Sequence, residues 1–335
     1  MSRPVLRMVL PLLLGAVAGS ALASGPGEPV IDMHVHAWPL ELPPGTPACP
    51  GDQGLTLPPM DPAKGFDLSL LGQCERPLLA PADDAALREQ TIAELRRHNV
   101  RRAVADGTVA DVAAWREAAP GLFLPGVAFG KRTEKSIDEL RKLHAAGDLA
   151  VFAEVTMQYR GIRADDPRYE PYFALAEELD IPIGLHLGEG PPGAAHFPGY
   201  EDYRASLTTP FQLEAVLHKH PKLRIYVMHY ASPLVDEMIA MLFTHANLYV
   251  DVACNDWGFP RKQFYSALQK LVDAGFGKRI LFGSDGMYWP GAVGEAIKSI
   301  EQAPFLDESQ NRDILYNNAA RFLRLDEAAI RADHG

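Results

Sequence analysis

Cysteine is scarce, with three in 335 residues, too few for a disulfide-built scaffold. Basic clusters are missing as well. Lys and Arg number 32 against 43 Asp and Glu, a formal net charge of −11. Phosphate backbones are held by clustered Lys and Arg, so nucleic acid is excluded as a partner. Heptads, long polar tracts and like-charge blocks are absent, which removes the coiled-coil and disordered classes. Neither a G-x-G-x-x-G turn nor a P-loop occurs. Nor does a G-x-S-x-G nucleophile turn or a His-Glu-x-x-His zinc helix. What remains is an ordinary globular composition, 22 % charged and 47 % hydrophobic.

The first 23 residues read as a targeting segment. Arg3 and Arg7 precede an apolar run from Met8 to Val17, and Ala21-Leu22-Ala23 is a small-x-small cleavage site. The run is short for a bilayer span of ~20 residues, so cleavage is favoured over anchoring. The first cysteine after it is Cys49, too distant for a lipid anchor. No second span follows, so residues 24–335 are expected as one periplasmic or secreted domain, off the membrane after cleavage. A homo-oligomer is compatible with this composition. Cys49 and Cys74 lie in a Pro/Gly-rich stretch. In an oxidising compartment they can close one disulfide, and otherwise they are two buried thiols. Cys254 reads as a small packed residue.

After residue 80, short β-rich apolar runs alternate with stretches of helical periodicity. Eight strands are predicted: Val30–His36, Arg102–Asp106, Leu122–Val127, Ala150–Val155, Ile181–Leu187, Arg224–His229, Asn247–Val252 and Arg279–Ser284. Helical stretches separate them, and a last helical region covers Glu308–Leu325. Such alternation implies parallel βαβ units, and eight units close into a TIM-type (β/α)8 barrel. Extra length falls in a Pro/Gly-rich insertion at about 37–82, after strand 1, and in a loop from Gly188 to about Thr209, after strand 5. Both lie on the C-terminal face, where barrel sites form. An open doubly wound sheet would want a Gly-rich turn after the first strand, where His34-Val35-His36-Ala37-Trp38-Pro39 stands instead.

Strand alternation puts Asp32, His34 and His36 on one face. His218 and His220 have the same spacing, but on a helix that spacing faces apart, which makes them surface residues. His34 and His36 have company. The other runs place Glu154, His186, His229 and Asp285 near strand ends. Ionisable groups avoid burial unless paired or ligating. This nitrogen/oxygen set suits Zn²⁺ best, and Mn²⁺, Fe²⁺ or Co²⁺ less distinctively. A bound divalent metal would lower a water's pKa towards ~7, and Asp285 can serve as ligand and general base.

The ordered signals Asp32-x-His34-x-His36, Glu154, His186, His229 and Gly283-Ser284-Asp285 resemble the amidohydrolase superfamily. Tyr316-Asn317-Asn318-Ala319-Ala320-Arg321-Phe322-Leu323 is similar to the C-terminal signature of its amidohydrolase-related branch. The resemblance spans residues 30–325. It implies His34, His36, His186 and Asp285 as metal ligands. His229 is implied as a catalytic residue with one ion, or as a ligand with two. Glu154 then bridges two ions or orients a ligand. Asp32 reads as structural or as supporting a ligand from behind. A metal-dependent hydrolase of an amide, ester or lactone in a small molecule is the leading expectation. A non-oxidative decarboxylase of an aromatic or unsaturated acid is the alternative. Trp38, Tyr159, Arg160, Glu189, Asp256, Trp257, Tyr288 and Trp289 follow strand ends. Of these, Arg160, Tyr159, Trp257 and Trp289 are the first choices for substrate contact, against plain loop packing.

Overall fold

The computed structural model describes residues 27–53, 71–130, 135–196 and 199–335. The targeting segment and much of the insertion lie outside them. Eight parallel strands carry the fold: β1 (Val30–Ala37), β4 (Val100–Gly107), β5 (Phe123–Pro125), β6 (Phe152–Val155), β7 (Ile183–His186), β8 (Ile225–Met228), β9 (Leu248–Asp251) and β10 (Ile280–Leu281). They lie within or overlap the eight runs expected from sequence. β1, β4 and β5 pair in that order, and β6 to β10 pair in chain order. A bridge between Gly126 and Val151 joins the two sheets on one side. On the other, Met33 N donates to Phe282 O at 2.9 Å and Asp285 N to His34 O at 2.8 Å. The sheet therefore closes into a (β/α)8 barrel.

Helices α1 (Asp84–Arg97), α2 (Val109–Ala118), α3 (Ile137–Ala146), α4 (Glu170–Glu178), α5 (Glu214–Lys219), α6 (Val235–Thr244), α8 (Arg261–Asp273) and α9 (Ala292–Glu301) surround it, with a short α7 (Asn255–Gly258) after β9. Their starts follow local chemistry. Ser136 and Glu139 form a capping box on α3, and Asp83 caps α1. The expected last helix is interrupted. A wide turn at Asp313–Asn317 separates α10 (Glu308–Arg312) from α11 (Asn318–Phe322), and α12 (Glu327–His334) was not expected.

The barrel interior is filled by Ile31, Met33, Val104, Val151, Ala153, Tyr226, Met228 and Leu281, joined by Tyr316 and Phe322. Tyr226 donates to Met33 O at 3.0 Å, linking β8 to β1. Gly184 makes room for that ring, since a Cβ there would lie 2.4 Å from it. A larger apolar cluster lies between strands and helices and holds Val35, Phe152, Ile225, Val227 and Val250.

One expectation fails here. Register shifts in the β1 pairing between Asp32 and Val35 break strict alternation. Ile31 and Met33 join the interior cluster, whereas Val35 and Ala37 join the outer one. Asp32 is thus out of phase with His34 and His36.

In the insertion, Pro47–Ala48 (β2) pairs antiparallel with Leu78–Leu79 (β3). Cys49 and Cys74 form a disulfide, with Cα atoms 5.9 Å apart. Among the described residues no helix is long and apolar enough to cross a membrane. Cys49→Ser is expected to lower stability by about 3 kcal/mol, the chain entropy of a loop this long. Thermal unfolding should show a Tm several degrees lower, and reductant should lower the wild-type Tm equally while leaving the variant unchanged.

Candidate metal centre

Seven strands bring an ionisable side chain to the C-terminal mouth, by three routes. On β4, β7 and β9 the alternation is regular. Asp106 is in phase with Val104, His186 with Gly184, and Asp251 with Tyr249. On β1 and β6 a register shift re-aims His34, His36 and Glu154. After β8 and β10 the chain turns through left-handed backbone. His229, Tyr230 and Ala231 have φ of 58°, 43° and 55°, and Asp285 has 43°. Non-glycine residues rarely hold such values unless the surroundings enforce them, and they cluster at functional sites.

Each histidine is held by its Nδ1. His34 Nδ1 lies 3.1 Å from Asp251 Oδ2. His36 Nδ1 contacts Asp106, its cross-strand neighbour. His229 Nδ1 lies 2.9 Å from Ala253 O, a pure acceptor, so that nitrogen carries the proton. His186 Nδ1 lies 2.7 Å from Glu154 Oε1 and 3.1 Å from His229 Nε2. Carboxylates and carbonyls on Nδ1 leave Nε2 as the ligating nitrogen, the usual second contact of a metal-binding histidine.

The Nε2 atoms of His34 and His186 are buried without hydrogen-bond partners, and so is Asp285 Oδ1. His36 Nε2 approaches that oxygen at 2.8 Å as a charge contact. Glu154 Oε1 lies 3.9 Å from His34 Nε2 and 3.8 Å from His229 Nε2. Three groups offer ligand atoms within 4.8 Å of one another: His34, His36 and Asp285; His34, Glu154 and His229; His36, Asp106 and Glu154. His186 belongs to none of these triads and reaches the cluster through Glu154. Orphaned donor atoms in a nitrogen/oxygen set fit a divalent cation.

The electrostatics agree. Burial works against charge on His36 and His229, yet Asp106 and Asp285 raise His36 to about 10, and Glu154 and Asp251 raise His229 to about 9. Burial would lift Asp285, but His34 and His36 hold its carboxyl below the usual range. Asp32, Asp106, Glu154, Asp251 and Asp285 crowd around four imidazoles. That surplus of carboxylates favours a cation.

Asp106 and Asp251 were not singled out in the sequence, although they lie at or one residue before the end of a predicted apolar strand, the same signal that marked Glu154. Asp32 braces main chain beside the cluster. Its Oδ1 accepts from His34 N at 3.0 Å and Ser284 N at 2.9 Å, and burial raises its pKa to about 6.

The expected substrate contacts divide. Tyr159 lies over His186, centroids 4.7 Å apart. Trp257 is 2 % exposed and donates to Ser284 O at 2.7 Å. Trp289 donates to Thr46 O at 2.9 Å and so holds the insertion. Arg160 is exposed and donates to Gly130 O at 3.2 Å. Cys254 is half-buried, and burial pushes its thiol well up, away from nucleophilic use. His218 is exposed, but His220 corrects the surface reading. It is buried between Glu177 and Glu170, at 3.1 and 3.0 Å, because the end of α5 packs on α4. A cavity of 360 Å³ lies elsewhere, near the start of β1, and contains none of the strand-end cluster.

Asp251→Asn is expected to weaken divalent-cation binding by about 10–100-fold, the effect of losing a carboxylate behind a ligating histidine. Metal titration followed by calorimetry measures this, with the circular dichroism spectrum unchanged. Wild-type affinity in the variant would reduce Asp251 to a packing role.

The family model for amidohydrolase, in its second branch, matches residues 31–325. No curated protein matches the chain at a significant level. Solved structures share the fold. A probable 2-pyrone-4,6-dicarboxylic acid hydrolase from Acinetobacter baumannii, with citric acid bound, is 16% identical at a TM-score of 0.55, covering 88% of this chain and 99% of that one. A 2,6-dihydroxybenzoate decarboxylase complexed with 2,6-dihydroxybenzoate is 15% identical at 0.55, covering 90% and 99%. A 5-carboxyvanillate decarboxylase variant from Novosphingobium aromaticivorans, with bound manganese, is 15% identical at 0.53, covering 71% and 81%. The length of the family match establishes that this chain belongs to the amidohydrolase family and is an enzyme of that superfamily.

Proposed function

We propose that this enzyme is an exported, metal-dependent hydrolase of an amide, ester or lactone bond in a small molecule. The observation that carries the reading is the set of Nδ1-anchored histidines around Asp285, with the Nε2 atoms of His34 and His186 buried and unpartnered. His34, His36 and Asp285 would hold one divalent ion, with zinc the best match to the donors. If a second ion is held, Glu154 and His229 would serve it, with His186 steadying Glu154, since the one free nitrogen of His34 can serve a single ion. When bound, such an ion supplies Lewis acidity and lowers the pKa of water towards neutrality.

The protein's own groups do the rest. Asp285 is kept ionised by His34 and His36, so it can accept a proton. Its neighbour His36 is fixed by Asp106, which keeps the two side chains side by side in the cluster. His229, with Nδ1–H on Ala253 O, presents Nε2 inward to orient substrate when a single ion is held. Glu154 is held well below the usual carboxylate range by His186 and His229, against its burial, and so remains an anion facing the cluster. The Cys49–Cys74 bridge and the pattern of residues 1–23 support a periplasmic or secreted location. The partner is a small molecule, with no nucleic acid and no membrane after cleavage, and a homo-oligomer is compatible.

Elemental analysis of the purified protein should find one or two ions per chain, fewer in His34→Ala. Two ions would give Glu154 and His229 to the metal centre, and one would leave His229 to the substrate. Asp285→Asn should abolish turnover, and chelator should do so reversibly. Full activity in Asp285→Asn overturns the mechanism. Carbon dioxide release from a panel of carboxylic acids would replace the hydrolase with a decarboxylase.

A further inference from the structure

Above the histidines, the strand-end loops carry rings and acids. Trp38, after β1, stacks on His36 with centroids 3.6 Å apart, and Tyr288, after β10, is 6.3 Å from Trp38. Across the barrel, Tyr159 follows β6 and packs on His186. Tyr200, from the loop after β7, meets Tyr159 edge-on at 5.2 Å. β1 and β10 adjoin each other, and β6 and β7 lie opposite them in the strand order. The rings therefore form two facing walls.

Glu41 belongs to both walls. Its Oε2 accepts the Tyr288 hydroxyl at 3.3 Å, and burial together with its charge raises the Tyr200 hydroxyl. Glu189, just after β7, has a buried Oε2 without a hydrogen-bond partner. Described arginines of these loops bond neighbouring acids or main chain, as Arg163 does Asp165 and Arg168 does Asp166. Arg160 donates to Gly130 O, Arg204 to Tyr203 O, and Arg261 to Asp256 O. Aromatic faces with a carboxylate between them attract organic cations, through the ring quadrupole and the counter-charge. The chain's net charge of −11 draws the same ligands from a distance.

We infer that the substrate carries a cationic nitrogen, an ammonium or alkylated amine, seated between Trp38 with Tyr288 and Tyr159 with Tyr200, with Glu41 as counter-charge. The inference rests on the hydrolase reading for the bond cleaved, and it sets the substrate apart from simple anionic acids.

Calorimetry on the full, metal-loaded enzyme compares choline with 3,3-dimethylbutan-1-ol, a neutral molecule of the same shape. Choline should bind about three- to fivefold more tightly, the size of a cation–π contact at a partly exposed site. The difference should shrink in Glu41→Gln and in Tyr200→Leu, and should fall with added salt. Equal binding of the two ligands, no detectable choline binding, or an unchanged preference in both variants overturns the inference. This readout involves no turnover. An active Asp285→Asn enzyme or released carbon dioxide would defeat the hydrolase reading while leaving the choline preference standing.

Discussion

The carboxylate of Asp251 joins three parts of the mouth at once. One oxygen faces His34 Nδ1 on β1 at 3.1 Å. The other accepts His229 N at 2.7 Å and Ala253 N at 3.2 Å. It is wholly buried, where an unpaired ion would cost several kcal/mol. Its three partners satisfy it, and in return it sets the tautomer of His34 and stabilises the left-handed turn that carries His229. Asp32 acts likewise between β1 and the β10 end, and Asp106 behind His36. Remove these anions and the histidines lose orientation before they lose their places in the fold.

That arrangement explains why the barrel carries its irregularities at one end. Lower in the barrel, strict alternation packs Ile31, Met33, Tyr226 and Leu281 inside. Higher up, the same phase would send His34, Glu154 and His229 outward into the helices. A shifted register on β1 and β6, and positive φ after β8 and β10, correct the aim. The apolar layer tolerates these departures because polar contacts above hold the re-aimed residues on every side. Gly283 is part of the fit, since a Cβ there would lie 2.8 Å from His34 Cβ.

The same contrast separates what could be read from the sequence from what could not. The eight strands were readable because buried parallel strands leave apolar runs with turn residues between them. His34, His36, Glu154, His186, His229 and Asp285 stood out as ionisable residues within or at the end of such runs. Asp106 and Asp251 carried the same mark but had no partner visible in one dimension, because both pairings are across strands. The register shift at Asp32–Val35 left no local signature, since Asp-Met-His-Val-His reads as perfect alternation. His220 looked exposed because its two glutamates lie over 40 residues earlier on α4. Positive φ at His229, Cys254 and Asp285 falls on residues that do not advertise it, unlike glycine.

The individuality of this enzyme lies in how its first loop is tied down. A barrel of this kind is closed below by Tyr316 and Phe322, so variation in chemistry belongs to the segments above the strand ends. The segment after β1 is long, and long segments order poorly without ties. Here the described part has several. β2 pairs with β3, Cys49 bonds Cys74, Leu40 N donates to Asp84 Oδ1 at 2.7 Å, and Trp289 donates to Thr46 O. Trp38 and Glu41 flank the first of these ties along the chain, at Leu40. The restraints fix a ring stacked on His36 and an acid bonded to Tyr288. A loop so held discriminates by shape and charge at the entrance, while the histidine–carboxylate cluster beneath remains free to keep its own geometry.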